Sequence, residues 1–189
     1  MYRAYAGIGS RDTPKEVCEQ MTNIAQVLDG LGWTLRSGGA KGADTAFADG
    51  ASFAQYEEYI PWHKFSPERL GVEPIPLNQT RDIYDLAGFY WDKYPKEMSE
   101  FPRVEWTLLK DTTKLFMMRN VHQILGLDLH TPSKAVICWT PNGAMKGGTS
   151  FAMWIAMWHS IPIFNLANPD AYERMETFFD PEYWKSDAS

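Results

Sequence analysis

The chain is poor in cysteine and histidine and has no long apolar run. Its 189 residues include two cysteines, Cys18 and Cys138. They are far apart, each inside an apolar stretch, which excludes a disulfide framework or a thiolate metal site and suits a reducing compartment. The four histidines, His63, His122, His130 and His159, show no pair at metal-ligand spacing. No metal is expected, and each histidine reads as a surface or packing residue. No stretch approaches the roughly 20 apolar residues of a membrane span. The opening MYRAYAGIGSR does not join a basic leader to an apolar run, so a cytoplasmic protein without a membrane partner is expected. Basic residues are outnumbered, 18 Lys and Arg against 24 Asp and Glu, for a net charge of −6. That argues against broad affinity for nucleic acid, which comes mainly from neutralising phosphates; only a local basic groove would allow it. Internal repeats, low-complexity tracts and linkers are also absent, and the length suits one core, so a single domain over 1–189 is expected.

What the chain does have is glycine at regular stations. Residues 3–8 form an extended run ending in Gly-Ile-Gly-Ser-Arg, after which Thr13-Pro14-Lys15-Glu16 has the pattern of a capping box. A helix follows, with Val17, Met21, Ile24, Ala25 and Leu28 on one face, stopped by Gly30 and Gly32. A second extended run at 33–36 turns at Ser37-Gly38-Gly39 into an alanine-rich helix over 43–53, and YEEYIP at 56–61 reads as a third strand. This order is a βαβαβ unit of a doubly wound sheet. Residues 62–103, interrupted by prolines, read as an irregular or helical insertion away from the sheet, with one short helix near 81–90. Residues 104–125 read as a long helix with Leu108, Leu115, Met118 and Leu125 on one face. KAVICWT at 134–140 is a central buried strand, 149–158 a helix apolar all round and therefore buried, IPIFNL at 161–166 the closing strand and 169–179 the last helix. The fold class expected is α/β: a Rossmann-like three-layer sandwich with a mostly parallel sheet and helices on both faces.

In such a sheet the strand-to-helix turns lie along one edge and present backbone N–H groups and positive helix ends to anions. Three glycine turns fall there: Gly7, Gly9, Ser10 and Arg11; Ser37, Gly38, Gly39 and Lys41; and Gly147, Gly148, Thr149 and Ser150. Each also serves equally well as a plain connection. The first lacks the third glycine of the dinucleotide fingerprint, which disfavours a nicotinamide cofactor. No other cofactor is implied.

Taken in order, GIGSR, RSGGAKGADTAF, RNVHQILG, VICWTP and GGTSFAMWIA…SIPIFNL resemble the SMF/DprA–Lonely Guy (SLOG) superfamily, and within it the small stand-alone DprA-like proteins of phages and mobile elements. The resemblance covers 3–60 and 119–166. It implies a crevice for a nucleotide or nucleic acid at the strand ends without fixing one activity. Lonely Guy-type phosphoribohydrolases carry a glutamate three residues after the threonine of their Pro-Gly-Gly-x-Gly-Thr turn; here Ala152 stands there, so that carboxylate is missing. Asp44 is the carboxylate within a glycine motif, fit either to bind a ribose hydroxyl or to cap its own helix. The resemblance places Arg119 and Asn120, read as the end of a helix, facing the ligand; the alternative for Arg119 is a surface salt bridge. Trp139, at the end of the central strand, either stacks on a base or belongs to the core.

The expected function is binding of a nucleotide or nucleotide-derived small molecule, a signalling nucleotide included, without catalysis. The alternatives are a nucleotide N-glycosidase or another nucleotide-processing enzyme, using Asp44 or a carboxylate from the middle segment, and a DprA-like single-stranded DNA-binding protein. Self-association into a homodimer or higher homo-oligomer is expected from the apolar helix at 149–158.

Overall fold

Ala4–Gly9 (AYAGIG) is apolar toward both faces, as a strand covered by helices on two sides must be, and it forms the central strand β1. The computed structural model describes residues 2–66, 69, 71–95, 104–145 and 147–179. After β1 come α1 (Lys15–Gly30), β2 (Thr34–Ser37), α2 (Ala43–Gly50), β3 (Tyr56–Ile60), β4 (Ile75–Pro76), α3 (Arg81–Lys93), α4 (Asp111–Leu125), β5 (Ala135–Trp139), α5 (Gly147–Trp158), β6 (Ile163–Asn165) and α6 (Ala171–Phe179). The six strands are parallel in the order β4-β3-β2-β1-β5-β6. The chain winds outward from β1 to β4, then returns to the other side of β1 to lay down β5. That reversal makes the carboxyl ends of β1 and β5 a topological switch point, where ligands of open α/β sheets bind.

Each sheet face has its own core. On one, α1, α2 and α6 bury Met21, Leu28, Phe47 and Phe179 around Tyr5 and Trp33. On the other, α3, α4 and α5 bury Ile83, Met117, Val121, Phe151 and Ile155. The result is a Rossmann-like α/β fold with helices on both faces. α1 stops where glycine permits it: Gly32 has φ +80°, its N–H bonds the Asp29 carbonyl at 2.9 Å, and Trp33 N–H bonds that of Leu28 at 2.9 Å. This is a Schellman closure.

Several local expectations are corrected. The capping box does not form. Pro14 is the capping residue of α1, with no side-chain cap, because the Thr13 hydroxyl donates instead to the Ser10 carbonyl at 2.7 Å and closes the preceding turn. α2 stops at Gly50 and does not run to residue 53. The 62–103 segment is not wholly an excursion, since Ile75–Pro76 pairs with β3 as the edge strand and α3 sends Ile83, Ala87, Tyr90 and Trp91 into the core; residues 67, 68, 70 and 96–103 lie outside the described residues. The long helix over 104–125 is broken: a 3₁₀ turn at Trp106–Leu108 precedes an extended Lys110 (ψ 139°), and α4 starts at Asp111. Leu108 therefore leaves the expected face and is 71% exposed, whereas Trp106 is buried. α5 buries Phe151 to Ala156 except Trp154, but Met157 and Trp158 are 47% and 46% exposed.

Candidate functional site

At the switch point lies a cavity of about 600 Å³, within the roughly 300–1,000 Å³ typical of small-ligand sites. Its walls are the turn after β1 (residues 9–12), Ala40 and Asp44 after β2, one face of α4, Thr140 and Pro141 after β5, and the start of α5 at Gly147, Gly148 and Thr149. α4 contributes Thr113, Phe116, Met117, Asn120 and Gln123, which share a helix face at spacings of three and four. Arg119 joins them.

The three glycine turns have three different environments. In the first, Gly7 and Gly9 are packing positions: a Cβ at Gly7 would lie 2.6 Å from Leu35 Cδ1 and 2.8 Å from Phe47 Cγ, and one at Gly9 would lie 2.6 Å from Ala43 Cβ. These glycines let α2 lie close on β1. Ser10 is spent on the turn itself. Its carbonyl accepts from the Ala43 N–H at 3.3 Å as well as from Thr13, and its hydroxyl accepts from the Asp12 N–H at 3.1 Å. Arg11 is exposed on the cavity wall.

The second turn is filled by the protein. A Cβ on Gly38 would sit 1.4 Å from Arg119 Nη1 and 2.9 Å from Asp44 Oδ2, and one on Gly39 (φ +66°) would sit 2.6 Å from Ser66 Cβ and 2.9 Å from Glu58 Oε1. Gly38 is the floor on which a buried ion pair rests, with Arg119 Nη1 3.2 Å from Asp44 Oδ2. Asp44 also accepts from the Ala40 N–H at 3.3 Å, so it ties the turn to the guanidinium and does not cap its own helix. Burial raises the Asp44 carboxyl above the ordinary range although Arg119 and backbone N–H groups pull it down. Burial likewise lowers the Arg119 guanidinium against the pull of Asp44. Each charge is costly to hold, and their attraction offsets only part of the cost. Ser37 is fully buried and donates to the Gly7 carbonyl at 2.7 Å, Lys41 is exposed away from the cavity walls, and Arg36 is locked to Glu57 at 2.9 Å and the Thr131 carbonyl at 2.6 Å.

The third turn is open. A Cβ on Gly147 (φ +67°) or Gly148 would meet no atom of the described residues within 4 Å. Asn120 Nδ2 donates to the Gly148 carbonyl at 3.0 Å and fixes the first turn of α5, where a helix has no intrahelical partners for its N–H groups and where Gly147, Gly148 and Thr149 line the cavity. Ser150 points away: it is buried, donates to the Gly147 carbonyl at 2.6 Å and lies 2.5 Å from Tyr94 Oη.

The structure thus brings Gly9, Ser10, Arg11, Asp44, Arg119, Asn120, Gly147, Gly148 and Thr149 to one cavity and leaves Gly7, Ser37, Gly38, Gly39, Lys41, Trp139 and Ser150 off its walls. Trp139 packs on the opposite face of the sheet, with the α1 and α6 core. Arg119 and Asn120 do not end their helix, which runs on to Leu125. His122 is stacked on Tyr59 with ring centroids 5.6 Å apart. Gln123, Thr113 and the aromatic pair Phe65 and Phe116 were not anticipated. For Gln123 the signal was present, since it follows Arg119 by four residues in RNVHQILG, the spacing that shares a face. Among the described residues no group of three His, Cys, Asp or Glu could hold a metal ion, and no helix is long and apolar enough to cross a membrane.

Fold and site together define a Rossmann-like α/β protein with a cavity of mixed polar and apolar lining at its switch point. No family model matches the chain, and no curated protein matches it. Among solved structures it is similar to DNA processing protein A from Helicobacter pylori, described for its single-stranded DNA binding mode, at 15% identity over 86% of this chain with a TM-score of 0.48. The chain spans 64% of that protein's length. It is also similar to the molybdenum cofactor carrier protein from Chlamydomonas reinhardtii, at 14% identity over 93% of this chain and 98% of that one, with a TM-score of 0.40.

Proposed function

We propose that the cavity binds a phosphate-bearing nucleotide or nucleotide-derived small molecule, held and not hydrolysed. The observation that carries this reading is the open start of α5 at Gly147 and Gly148, on the same cavity as Arg11 and Arg119. Backbone N–H groups at a helix start, two cations and room for close approach are what a phosphate needs. The resemblance of the motifs to the SLOG superfamily supports the same ligand class. Against catalysis stand Ala152 on the cavity wall and the engagement of Asp44 by Arg119 and Ala40.

Titration calorimetry with nucleoside mono-, di- and triphosphates tests the reading. Arg119→Ala should lose about thirtyfold in affinity, on the order of 2 kcal/mol, the worth of a charge-assisted hydrogen bond. Arg119→Lys should recover part of that, because an ammonium lacks the guanidinium fork. Arg11→Ala, on an exposed side chain, should weaken binding without changing stability. Binding by no nucleotide, or equal affinity across all four proteins, refutes the proposal; free base released in the same mixtures would establish the N-glycosidase alternative instead.

A further inference from the structure

Trp62 follows β3 by two residues, at the carboxyl edge of the sheet where the cavity opens, and is 40% exposed. Its ring centroid lies 5.1 Å from that of Phe65 and 5.4 Å from that of Phe116, and those two rings, which line the cavity, are 5.6 Å apart. The three centroids form a nearly equilateral triangle. Phenylalanines on opposite faces of the indole would stand about 10 Å apart, so these two leave at least one face of Trp62 uncovered. The turn that holds the indole is strained. Phe65 N–H bonds the Trp62 carbonyl at 3.2 Å, and the third residue of the turn, Lys64, has φ +62°, where glycine is the ordinary choice. Strain of this kind persists where the surroundings over-determine a local geometry, ligand clamps included; here it sets Trp62 and Phe65.

We infer that Trp62 is the platform on which the base of the bound nucleotide stacks, at the mouth of the cavity that holds its phosphate. The inference rests on the nucleotide reading above and adds a residue for the base. Arg119 Cζ lies 5.7 Å from the Phe116 centroid, and Trp62 is one ring further on. The two steps together are no longer than a mononucleotide's own reach from phosphate to base. Phe65 and Phe116 meet the indole at 83° and 68°, so they brace it without stacking on it. An aromatic face left in water gains from a flat partner, and such stacking tolerates any base because every base has a π-face. The site should therefore favour base-bearing phosphates over baseless ones, and the larger purine ring over the pyrimidine.

Titration calorimetry with AMP, UMP and ribose 5-phosphate separates base from phosphate. Trp62→Ala should weaken AMP at least about tenfold, within the usual worth of one stacked base, weaken UMP less, and leave ribose 5-phosphate within about twofold of wild type. Trp62→Leu, which keeps apolar bulk without a ring, should behave like Trp62→Ala, whereas Trp62→Phe should recover most of the AMP affinity. Arg119→Ala should weaken all three ligands alike. Wild-type affinity for AMP in both Trp62→Ala and Trp62→Leu, or an equal loss for AMP and ribose 5-phosphate, overturns the inference and leaves the nucleotide reading standing. Failure of AMP, UMP and their di- and triphosphates to bind the wild type overturns the nucleotide reading and this inference with it, even if an oligothymidylate binds.

Discussion

Replacing Gly38 by alanine should destabilise the protein, and the loss should depend mainly on Arg119. Gly38 is not among the glycines with positive φ, so its backbone accommodates alanine. At such a site Gly→Ala is ordinarily stabilising, by about 0.4–1 kcal/mol, through the unfolded chain. Here the new methyl would sit 1.4 Å from Arg119 Nη1 and 2.5 Å from Cζ. The guanidinium would have to withdraw by about 2 Å to reach ordinary contact distance, and its 3.2 Å bond to Asp44 would break. The two side chains are 10% and 5% exposed, and breaking a pair buried to that degree costs about 3–5 kcal/mol. Because Arg119 can swing into the open cavity and keep water, the lower end applies. A loss of about 3 kcal/mol corresponds to a fall in Tm of roughly 6–12 °C for a chain of this size.

Urea unfolding of wild type, Gly38→Ala, Arg119→Ala and the double variant measures this. In the Arg119→Ala background the close atom that remains over Gly38 is Asp44 Oδ2 at 2.9 Å, the end of a side chain that can shift, so the added methyl should cost little and the interaction energy should approach most of the loss, about 2–3 kcal/mol. The loss should also depend on pH. Burial already holds the Asp44 carboxyl above its ordinary value, and withdrawing Arg119 raises it further. A group whose folded pKa is raised favours the fold most below its unfolded pKa, about 4 for aspartate, and loses that contribution as pH rises through the folded value. The deficit of Gly38→Ala should therefore shrink as pH falls toward 4, where neutral Asp44 no longer needs a cation. A stabilising Gly38→Ala, or additive effects in the double variant, would refute the assignment of Gly38 as the seat of the ion pair.

Three further outcomes are expected. Gly147→Ala should lose about 1–2 kcal/mol because φ is +67° there, whereas Gly148→Ala, with no atom of the described residues within 4 Å, should stay within about 0.5 kcal/mol of wild type in thermal unfolding yet bind nucleotide more weakly in titration. Cys138, fully buried with its thiol pushed up to about 12 by burial, should resist Ellman's reagent at pH 8 until denaturant is added. Asp128 accepts from the Thr131 hydroxyl at 2.6 Å and from the backbone of His130 and Thr131, and these bonds hold its carboxyl down at about 2; its contribution is present above pH 4 and lost as pH falls through 2, so Asp128→Asn should flatten that part of the acid limb of stability.

The regular part of the fold was legible because each element shows its period without interruption. The apolar runs of β1 and β5 and the stripe Met21, Ala25, Leu28 on α1 follow from burial alone. β4 was not legible: it is two residues long and includes Pro76, and a proline that cannot donate is tolerated there only because the strand is at the edge. The break before α4 was hidden because no glycine or proline marks Lys110, so the 3.6-residue count carried Leu108 onto a helix face that the chain does not continue. Gln123 was missed for the opposite reason. It stands in a regular helix, and only the placement of α4 in the fold shows that its Nε2 has no acceptor among the described residues.

Glycine after a strand has one appearance in sequence and three physical causes in this protein. Gly7 and Gly9 admit another helix, Gly38 and Gly39 admit side chains from α4 and from residues 58 and 66, and Gly147 and Gly148 admit nothing from the described residues. Only the last pair leaves its space to a molecule from outside. The second turn still acts at the site, indirectly: Gly38 seats the guanidinium whose Nε is left without an acceptor. A ligand anchored on the start of α5 would meet, across one cavity, an arginine already oriented by Asp44 and not free to search. If the cavity binds as proposed, Asp44 acts as a positioning residue, and its removal should weaken binding through Arg119 even for a ligand that never touches the carboxylate.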